Sequence, residues 1–307
     1  MAVLNPPRVI PSLARSIVNF LLESRKEWDE ASLVAAFNPG VNESDGAADA
    51  LKNTISACRA IGILVPGAMV EVAPAVAAEG HTFDRATFRK LACRHIFDLK
   101  RDGDPWAVAE GDAQTSGARD LTRALAWFLA QDALGSPISW TENVEQLQKD
   151  QFRTAELDKW VLRNDTRWNA FSRWGLSLGL VVPSVVRTRQ GSVQGLLPLP
   201  TIAVHDALEV IPSGRMPVSD FLDALSRQLP VLPGGVIRRG LVARLGYEPD
   251  PGIEANAVDS SLAQVLRILE SRRILAFESL ADAEGVVLAT SDQARITHVT
   301  LKGGKKR

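Results

Sequence analysis

The amino-acid sequence predicts a mainly α-helical protein with small β-wings, an α+β chain of tandem winged-helix-like domains. One pattern carries this prediction: an amphipathic helix, a short exit and a pair of apolar strands recur three times. Two of the exits carry a glycine, Gly62 and Gly179, which adopts the left-handed conformation of a helix end at little cost. The chain of 307 residues is 46% hydrophobic and 23% charged, which is typical of globular domains with a packed core.

The first copy predicts an N-terminal winged-helix-like domain over residues 1–80. Its third helix runs from Ala50 to Gly62 with one apolar stripe, and the run Ile63-Leu64-Val65 after it favours a strand. Two helices precede it, each with a residue suited to cap its N-terminus. We predict these helices over Ser12–Glu23, capped by Ser12, and over Glu30–Phe37, capped by Asp29.

Residues 81–120 are predicted as a helical linker and a mobile loop. The linker helix covers roughly His81–Lys100. The following segment, Asp102–Arg119, is polar and rich in glycine, which is typical of an exposed loop.

The second copy predicts a central winged-helix-like domain over residues 121–200. A helix over Leu121–Gln131 begins it, and the apolar positions from Trp168 to Leu178 form the third helix. Two strands joined by a glycine-containing turn are then predicted, over Ser184–Thr188 and Val193–Leu197.

The third copy predicts a C-terminal winged-helix-like domain over residues 201–307, ending in a basic tail. Helices are expected over Thr201–Ile211 and Val218–Leu229, with Pro217 breaking the chain between them. The third helix contains Leu262, Val265 and Leu269. Three strands complete the domain, over Ile274–Glu278, Val286–Ala289 and Ile296–Leu301.

Several classes of protein are disfavoured by composition. No apolar run reaches the ~18 residues of a membrane span, and we expect no signal peptide. The two cysteines, Cys58 and Cys93, lie in apolar helical patterns and are expected to be small core residues. We therefore expect a cytoplasmic protein without a disulfide framework or a membrane partner.

The sequence also lacks the motifs of common enzymes. It contains no phosphate-binding loop, dinucleotide fingerprint or nucleophile elbow, and no acidic residue near a strand has the lysine spacing of a nuclease. Cys93 and His95 are two apart on a helix, so they point to different faces. We expect no enzymatic activity, no cofactor and no metal site, with an enzyme whose site is dispersed in sequence as an open alternative.

Local charge indicates where a binding surface would lie, although the net charge is only −1. Residues 159–189 hold six basic side chains against one acid, Asp165. Residues 1–80 are acidic, which favours a protein partner there. Arginine, asparagine and glutamine contact phosphates and base edges. The predicted nucleic-acid-binding residues are Arg163, Arg167, Asn169, Arg173, Arg187, Arg189, Arg238, Arg239, Gln264 and Arg267.

Two of these features have an ordinary structural alternative. Each basic cluster is as well explained by a solvated surface as by a ligand. Trp127, Trp160, Trp168 and Trp174 could stack on bases, but their helical spacing beside Phe128 and Phe171 favours core packing.

The opening of the chain resembles a known family. The segment Leu4-Asn5-Pro6-Pro7, followed by Pro11-Ser12-Leu13 and a winged-helix pattern, is similar to that of DpdG-type proteins. Such proteins belong to bacterial clusters that insert and police 7-deazaguanine bases in DNA as a defence against phage. The resemblance implies membership of a multi-protein defence system, and it implies no residue roles.

The leading hypothesis is a non-catalytic component of a bacterial anti-phage or DNA-modification system. It would bind double-stranded DNA or dock other subunits of a defence complex onto DNA. The alternatives are a protein–protein scaffold without DNA contact and a transcriptional regulator. The sequence leaves the oligomeric state open.

Overall fold

The computed structural model describes residues 2–5, 8–24, 26–38, 46–106, 117–153, 160–188, 191–245, 257–290 and 292–303. Two compact units divide the chain. Unit 1 contains Met1–Ala124 and Val161–Leu178, and unit 2 contains Leu125–Trp160 and Gly179–Arg307. The predicted domain boundaries at residues 80, 120 and 200 remain a prediction.

Unit 1 is built from helices, and α7 begins in it and ends in unit 2. Helix α1 packs against α3 and against α9, and α2 packs against α3. These helices are α1 (Pro11–Glu23), α2 (Glu30–Phe37), α3 (Gly46–Ala60), α4 (Pro74–Ala77), α5 (Arg85–Ile96), α6 (Leu99–Asp102), α7 (Arg119–Phe128) and α9 (Asp165–Ser177).

The starts of α1 and α2 differ. The Asp29 side chain accepts a hydrogen bond from the Ser32 N–H at 2.7 Å, so the predicted cap of α2 is confirmed. The predicted cap of α1 is wrong, because that helix begins at Pro11 with Ile10 as its N-cap and no side-chain cap. Proline suits the first position since its missing N–H would have no partner there.

A small β-structure follows α3 in unit 1. Gly62 has φ of 74° and ends the helix, as its position in the sequence predicts. The chain then forms an antiparallel bridge between Leu64 and Val72, and Asp29 pairs with Met69. The strand predicted after Gly62 is therefore present in rudimentary form.

The predicted linker helix over His81–Lys100 is wrong in its extent. Two helices stand there, α5 and the single turn α6, and Asp98 accepts hydrogen bonds from the N–H groups of Lys100 and Arg101 at the start of the second. Of the predicted mobile loop, residues 107–116 lie outside the described residues.

Unit 2 combines short helices with three small sheets. A π-helical turn over Trp140–Val144 leads into α8, and a 3₁₀ turn over Leu208–Val210 extends α10. The helices are α8 (Glu145–Gln151), α10 (Thr201–Ala207), α11 (Val218–Gln228), α12 (Val236–Val242) and α13 (Ser260–Ser271). The strands are β1 (Val182–Thr188), β2 (Gly191–Leu197), β3 (Gly214–Pro217), β4 (Ala257–Val258), β5 (Leu275–Glu278), β6 (Val286–Leu288), β7 (Arg295–Ile296) and β8 (His298–Leu301).

The sheets are mostly antiparallel. Strands β1 and β2 form a hairpin in which Val182 pairs with Leu197, and Ile138 adds a bridge to Leu196. Strand β8 lies between β3 and β5, with Val299 opposite both Met216 and Phe277. The third sheet has the order β4-β6-β7, with β4 parallel to β6. The predicted class, mainly α with small β parts, is confirmed.

Aromatic side chains fill the core in both units. In unit 1, Trp168 and Phe171 are buried on α9 with ring centroids 5.2 Å apart. In unit 2, the rings of Phe152 and Trp160 have centroids 4.3 Å apart, and Trp127 is fully buried. The prediction that the tryptophans serve core packing is confirmed.

Candidate nucleic-acid interface

A cationic cavity of about 340 Å³ lies in unit 1, where the first turns of α1 and α5 meet the last turns of α9. Three arginines, two serines and four apolar residues line it. They are Arg15, Arg85, Arg173, Ser12, Ser177, Ile10, Pro11, Phe88 and Leu176.

Helical periodicity explains why these side chains meet. Residues three or four apart share one face of a helix. Ser12 and Arg15 are related in this way on α1, as are Arg85 and Phe88 on α5. On α9 the same spacing places Leu176 and Ser177 beside Arg173. Each helix thus contributes one arginine and at least one neighbour to the cavity.

In the part of the chain that the structure describes, no carboxylate lines the cavity. Within the same residues, Arg85 and Arg173 form no hydrogen bond or ion pair, and both are exposed. Asp84, an acid that interacts electrostatically with Arg15, caps α5. Its pKa lies below the ordinary value chiefly because Thr87 donates hydrogen bonds to it, and Arg15 contributes less. The cavity therefore has a net positive potential.

The exposed face of α9 extends this cationic surface. Thr166, Asn169 and Arg173 recur at helical spacing on the side opposite the buried Trp168 and Phe171. Thr166 and Arg173 are roughly 10 Å apart along the axis, from a rise of about 1.5 Å per residue.

Asn169 and Arg173 lie on the exposed face of α9, and Arg163, a third predicted binding residue, is exposed two residues before that helix. We call these three residues, together with Arg15 and Arg85, the α9 surface.

Arg167 has a different role from its neighbours. Its guanidinium donates a hydrogen bond to the Val161 carbonyl at 2.9 Å and is half-buried. Burial lowers the pKa of Arg167, and the buried Asp120 carboxylate opposes this effect. Asp120 in turn accepts hydrogen bonds from the N–H groups of Val3 and Leu4 at 3.2 and 2.6 Å. Arg167 thus stabilises the folding of unit 1.

Arg238 is likewise engaged inside unit 2. Its guanidinium is paired with Asp259 at 2.7 Å, donates to the Ala126 carbonyl at 3.0 Å and is only 11% exposed. Burial raises the pKa of Asp259, which also caps α13. Its sequence neighbour Arg239 is exposed and donates to the Gly234 carbonyl.

Of the two predicted residues of α13, Arg267 contacts side chains of its own unit. Arg267 donates to Glu270 at 2.7 Å and to Asp292, and its Cζ lies 6.0 Å from the Phe277 ring centroid. Gln264 is half-buried.

The remaining two predicted residues belong to the β1–β2 hairpin. Arg187 is exposed on β1. Arg189 lies outside the described residues.

Arg15 and Arg85 were missed at the sequence level. Arg15 is the one arginine of α1, and Arg85 is one of several basic residues on α5, with Arg89 four places on, so neither is marked as a site by the sequence. The available signal was the register of α1, α5 and α9, but using it requires knowing that these three helix ends meet.

Chemical groups elsewhere are structural. His95 Nδ1 lies 3.0 Å from the Ile61 carbonyl oxygen, and burial lowers the pKa of this histidine. Cys58 is fully buried, which raises the pKa of its thiol to about 12. The described residues include no cluster of three or more histidine, cysteine or acidic side chains suited to a metal ion. Within the same ranges, no helix is both long and apolar enough to cross a bilayer.

The fold and the site define a mainly helical protein with small β-sheets and a cationic surface built from helix ends. The model of the family described as DpdG-like matches residues 1–283, and the chain belongs to this family. Membership associates the protein with the Dpd system of 7-deazaguanine DNA modification. No curated protein and no solved structure matches the chain.

Proposed function

We propose that this protein is a non-catalytic, DNA-binding component of the Dpd modification system that acts in the cytoplasm. The observation that carries the proposal is the α9 surface, where Arg15, Arg85 and Arg173 from three helices converge without a carboxylate among them. Family membership supplies the context of DNA modification.

The order of elements supports winged-helix modules. In unit 2 the elements α10, β3, α11, α13, β5 and β8 follow in that order, with α12 and β4 inserted before α13 and with β6 and β7 inserted before β8, and β8 lies between β3 and β5. In unit 1 it runs α1, α2, α3 and then the hairpin bridged at Leu64 and Val72, with Asp29 pairing across to Met69. Helix, strand, helix, helix and two wing strands is the order of a winged helix, and such modules place their third helix on DNA.

Within this proposal α9 is the third helix of the central copy. Asn169 suits contacts to base edges, and the arginines suit phosphates. Because arginine–phosphate contacts release counterions, the affinity for duplex DNA is expected to fall as salt rises.

Fluorescence anisotropy with a labelled short duplex tests the proposal over about 50 to 200 mM salt. The variant Arg163→Glu/Arg173→Glu is expected to weaken binding by about tenfold or more and to flatten the salt dependence. Both side chains are exposed, so their reversal leaves the core of unit 1 intact.

Lys52→Glu is the matched control, since Lys52 is exposed on α3 in the acidic first domain. It is expected to retain wild-type affinity, and circular dichroism checks the fold of each variant. If Lys52→Glu weakened duplex binding equally, the loss of affinity would reflect the net charge of the protein and not the α9 surface.

A protein–protein scaffold is the second candidate. The observation in its favour is the apolar exposure of the β1–β2 hairpin, where Val185 and Val186 are 62% and 43% exposed. Wild-type protein that binds no duplex even at low salt would replace the DNA-binding proposal with this one.

A further inference from the structure

We propose that the cavity between α1, α5 and α9 is a binding site for the phosphate group of a nucleotide. The inference deepens the proposed function, because Arg173 belongs both to the cavity and to the face proposed to meet DNA. It adds a defined pocket and a ligand class to that surface.

The cationic side of the cavity suits a compact anion of more than one charge. Arg15, Arg85 and Arg173 line it from three helices, and guanidinium groups present several donors in a plane that matches phosphate oxygens. The hydroxyls of Ser12 and Ser177 are further donors in the same lining.

The start of α1 adds to this positive potential. Ile10 and Pro11, which line the cavity, are its N-cap and first residue, and no side chain caps this end. The first N–H groups of a helix and its dipole favour an anion. The start of α5 is different, because Asp84 already occupies it.

The apolar residues of the cavity lining indicate that the anion carries a larger body. Ile10, Pro11, Phe88 and Leu176 contribute hydrocarbon surface next to the arginines. A bare inorganic anion would leave this surface unused, whereas the sugar and base of a nucleotide would cover it. The volume of about 340 Å³ lies at the lower end of the range of small-molecule sites, about 300 to 1,000 Å³.

The nucleotide could be free or part of a DNA strand, and the phosphate chemistry is the same for both. Isothermal titration of the full chain with deoxyguanosine monophosphate measures the site itself. Deoxyguanosine, which lacks the phosphate, and inorganic phosphate, which lacks the base, are the comparison ligands. We expect the monophosphate to bind, the nucleoside not to bind and inorganic phosphate to bind more weakly.

The variants Arg15→Met and Arg85→Met are each expected to lower the affinity for the monophosphate by about tenfold or more. Arg85→Lys retains the charge and is expected to recover part of the loss. Lys52→Met is the control, because this exposed cation lies outside the cavity lining. Absence of monophosphate binding, or binding that survives both cavity variants, overturns the inference.

Competition separates the two sources and the two proposals. If the monophosphate displaces a bound duplex, the cavity receives a phosphate of DNA, and if both bind together, the ligand is a free nucleotide. Monophosphate binding without any duplex binding leaves the site in place and removes the DNA-binding proposal. Duplex binding without monophosphate binding removes the nucleotide site and leaves the DNA-binding proposal in place.

Discussion

The cavity arginines of unit 1 differ from two arginines of unit 2 in what surrounds them. Arg85 and Arg173 line a cavity that has no carboxylate, and both form no ion pair within the described ranges. Arg238 and Arg267 in unit 2 are paired with Asp259, and with Glu270 and Asp292. We propose a binding role for the cavity arginines, whereas Arg238 and Arg267 make contacts that stabilise the fold of unit 2.

The comparison shows that the availability of a basic cluster for binding a ligand depends on the acidic side chains that pack against it in the fold. Arg238 and Arg239 are adjacent in sequence, yet one guanidinium is 11% exposed and paired with an acid, and the other is exposed. In unit 1, Arg167 is half-buried and is attracted by Asp120, whereas Arg163 is exposed. Exposure and acid partners together select the cations that can meet a ligand.

The largest expected effect comes from breaking the buried pair in unit 2. Arg238→Met leaves Asp259 without its cation and the Ala126 carbonyl without its donor. We expect a loss of roughly 3 kcal/mol in the free energy of unfolding, since removing one partner of a buried pair leaves an uncompensated charge. Urea denaturation followed by circular dichroism measures it.

The double variant Arg238→Met/Asp259→Asn controls for the stranded charge. It is expected to recover part of the loss, because the asparagine can still cap α13 without carrying a charge. A loss below about 1 kcal/mol in the single variant, the usual range of surface pairs, would place Arg238 with the exposed cations.

The elements of unit 1 follow from local chemistry more closely than the site does. The helix over Glu30–Phe37 agrees with its prediction, and so do the Asp29 cap and the glycine end at Gly62, where φ is 74°. These features depend on residues within one turn of each other. The cavity depends on Arg15, Arg85 and Arg173, which only the tertiary fold brings together.

Two elements of unit 2 were missed for local reasons. Strand β3 contains Gly214 and Pro217 and has no apolar alternation, so its pairing with β8 is imposed by the sheet. Helix α12 was not predicted. The adjacent Arg238 and Arg239 interrupt the apolar pattern formed by Ile237 and Leu241, which are buried on this helix.

A second effect concerns Asp120, the buried acid of unit 1, whose hydrogen bonds go to backbone N–H groups of Val3, Leu4 and Leu121. Burial raises its pKa to about 6, above the value of 3.8 expected for an unfolded chain. Between these values the native state holds a proton that the unfolded state has released. Stability is therefore expected to fall as pH rises from about 4 to 6, by at most about 3 kcal/mol.

Asp120→Asn tests this sign, because the amide does not titrate. The free energy of unfolding of this variant, relative to that of wild type, is expected to rise between pH 4 and 6. This holds even if the two proteins already differ in stability at pH 4. Urea midpoints at several pH values measure the difference. A difference that stays constant with pH would show that Asp120 does not control this window.

The smallest effect separates the two kinds of arginine. Arg267→Met is expected to cost about 1 kcal/mol or less, because its pairs with Glu270 and Asp292 are partly exposed. Arg85→Met and Arg173→Met are expected to change stability by less than about 0.5 kcal/mol, since neither forms a hydrogen bond or ion pair with a residue that the structure describes. Thermal melts of the three variants beside wild type measure the order.

Ionic strength sharpens this last comparison, because at low salt Arg85→Met and Arg267→Met are expected to change the free energy of unfolding in opposite directions. At low salt the positive charges around the cavity repel one another, so Arg85→Met is expected to stabilise unit 1 slightly, and added salt should remove the gain by screening. Arg267→Met should remain destabilising at low salt, where its attraction to Glu270 and Asp292 is strongest. If Arg85→Met were as destabilising as Arg267→Met, the cavity arginines would be structural, and they would not differ in role from Arg267.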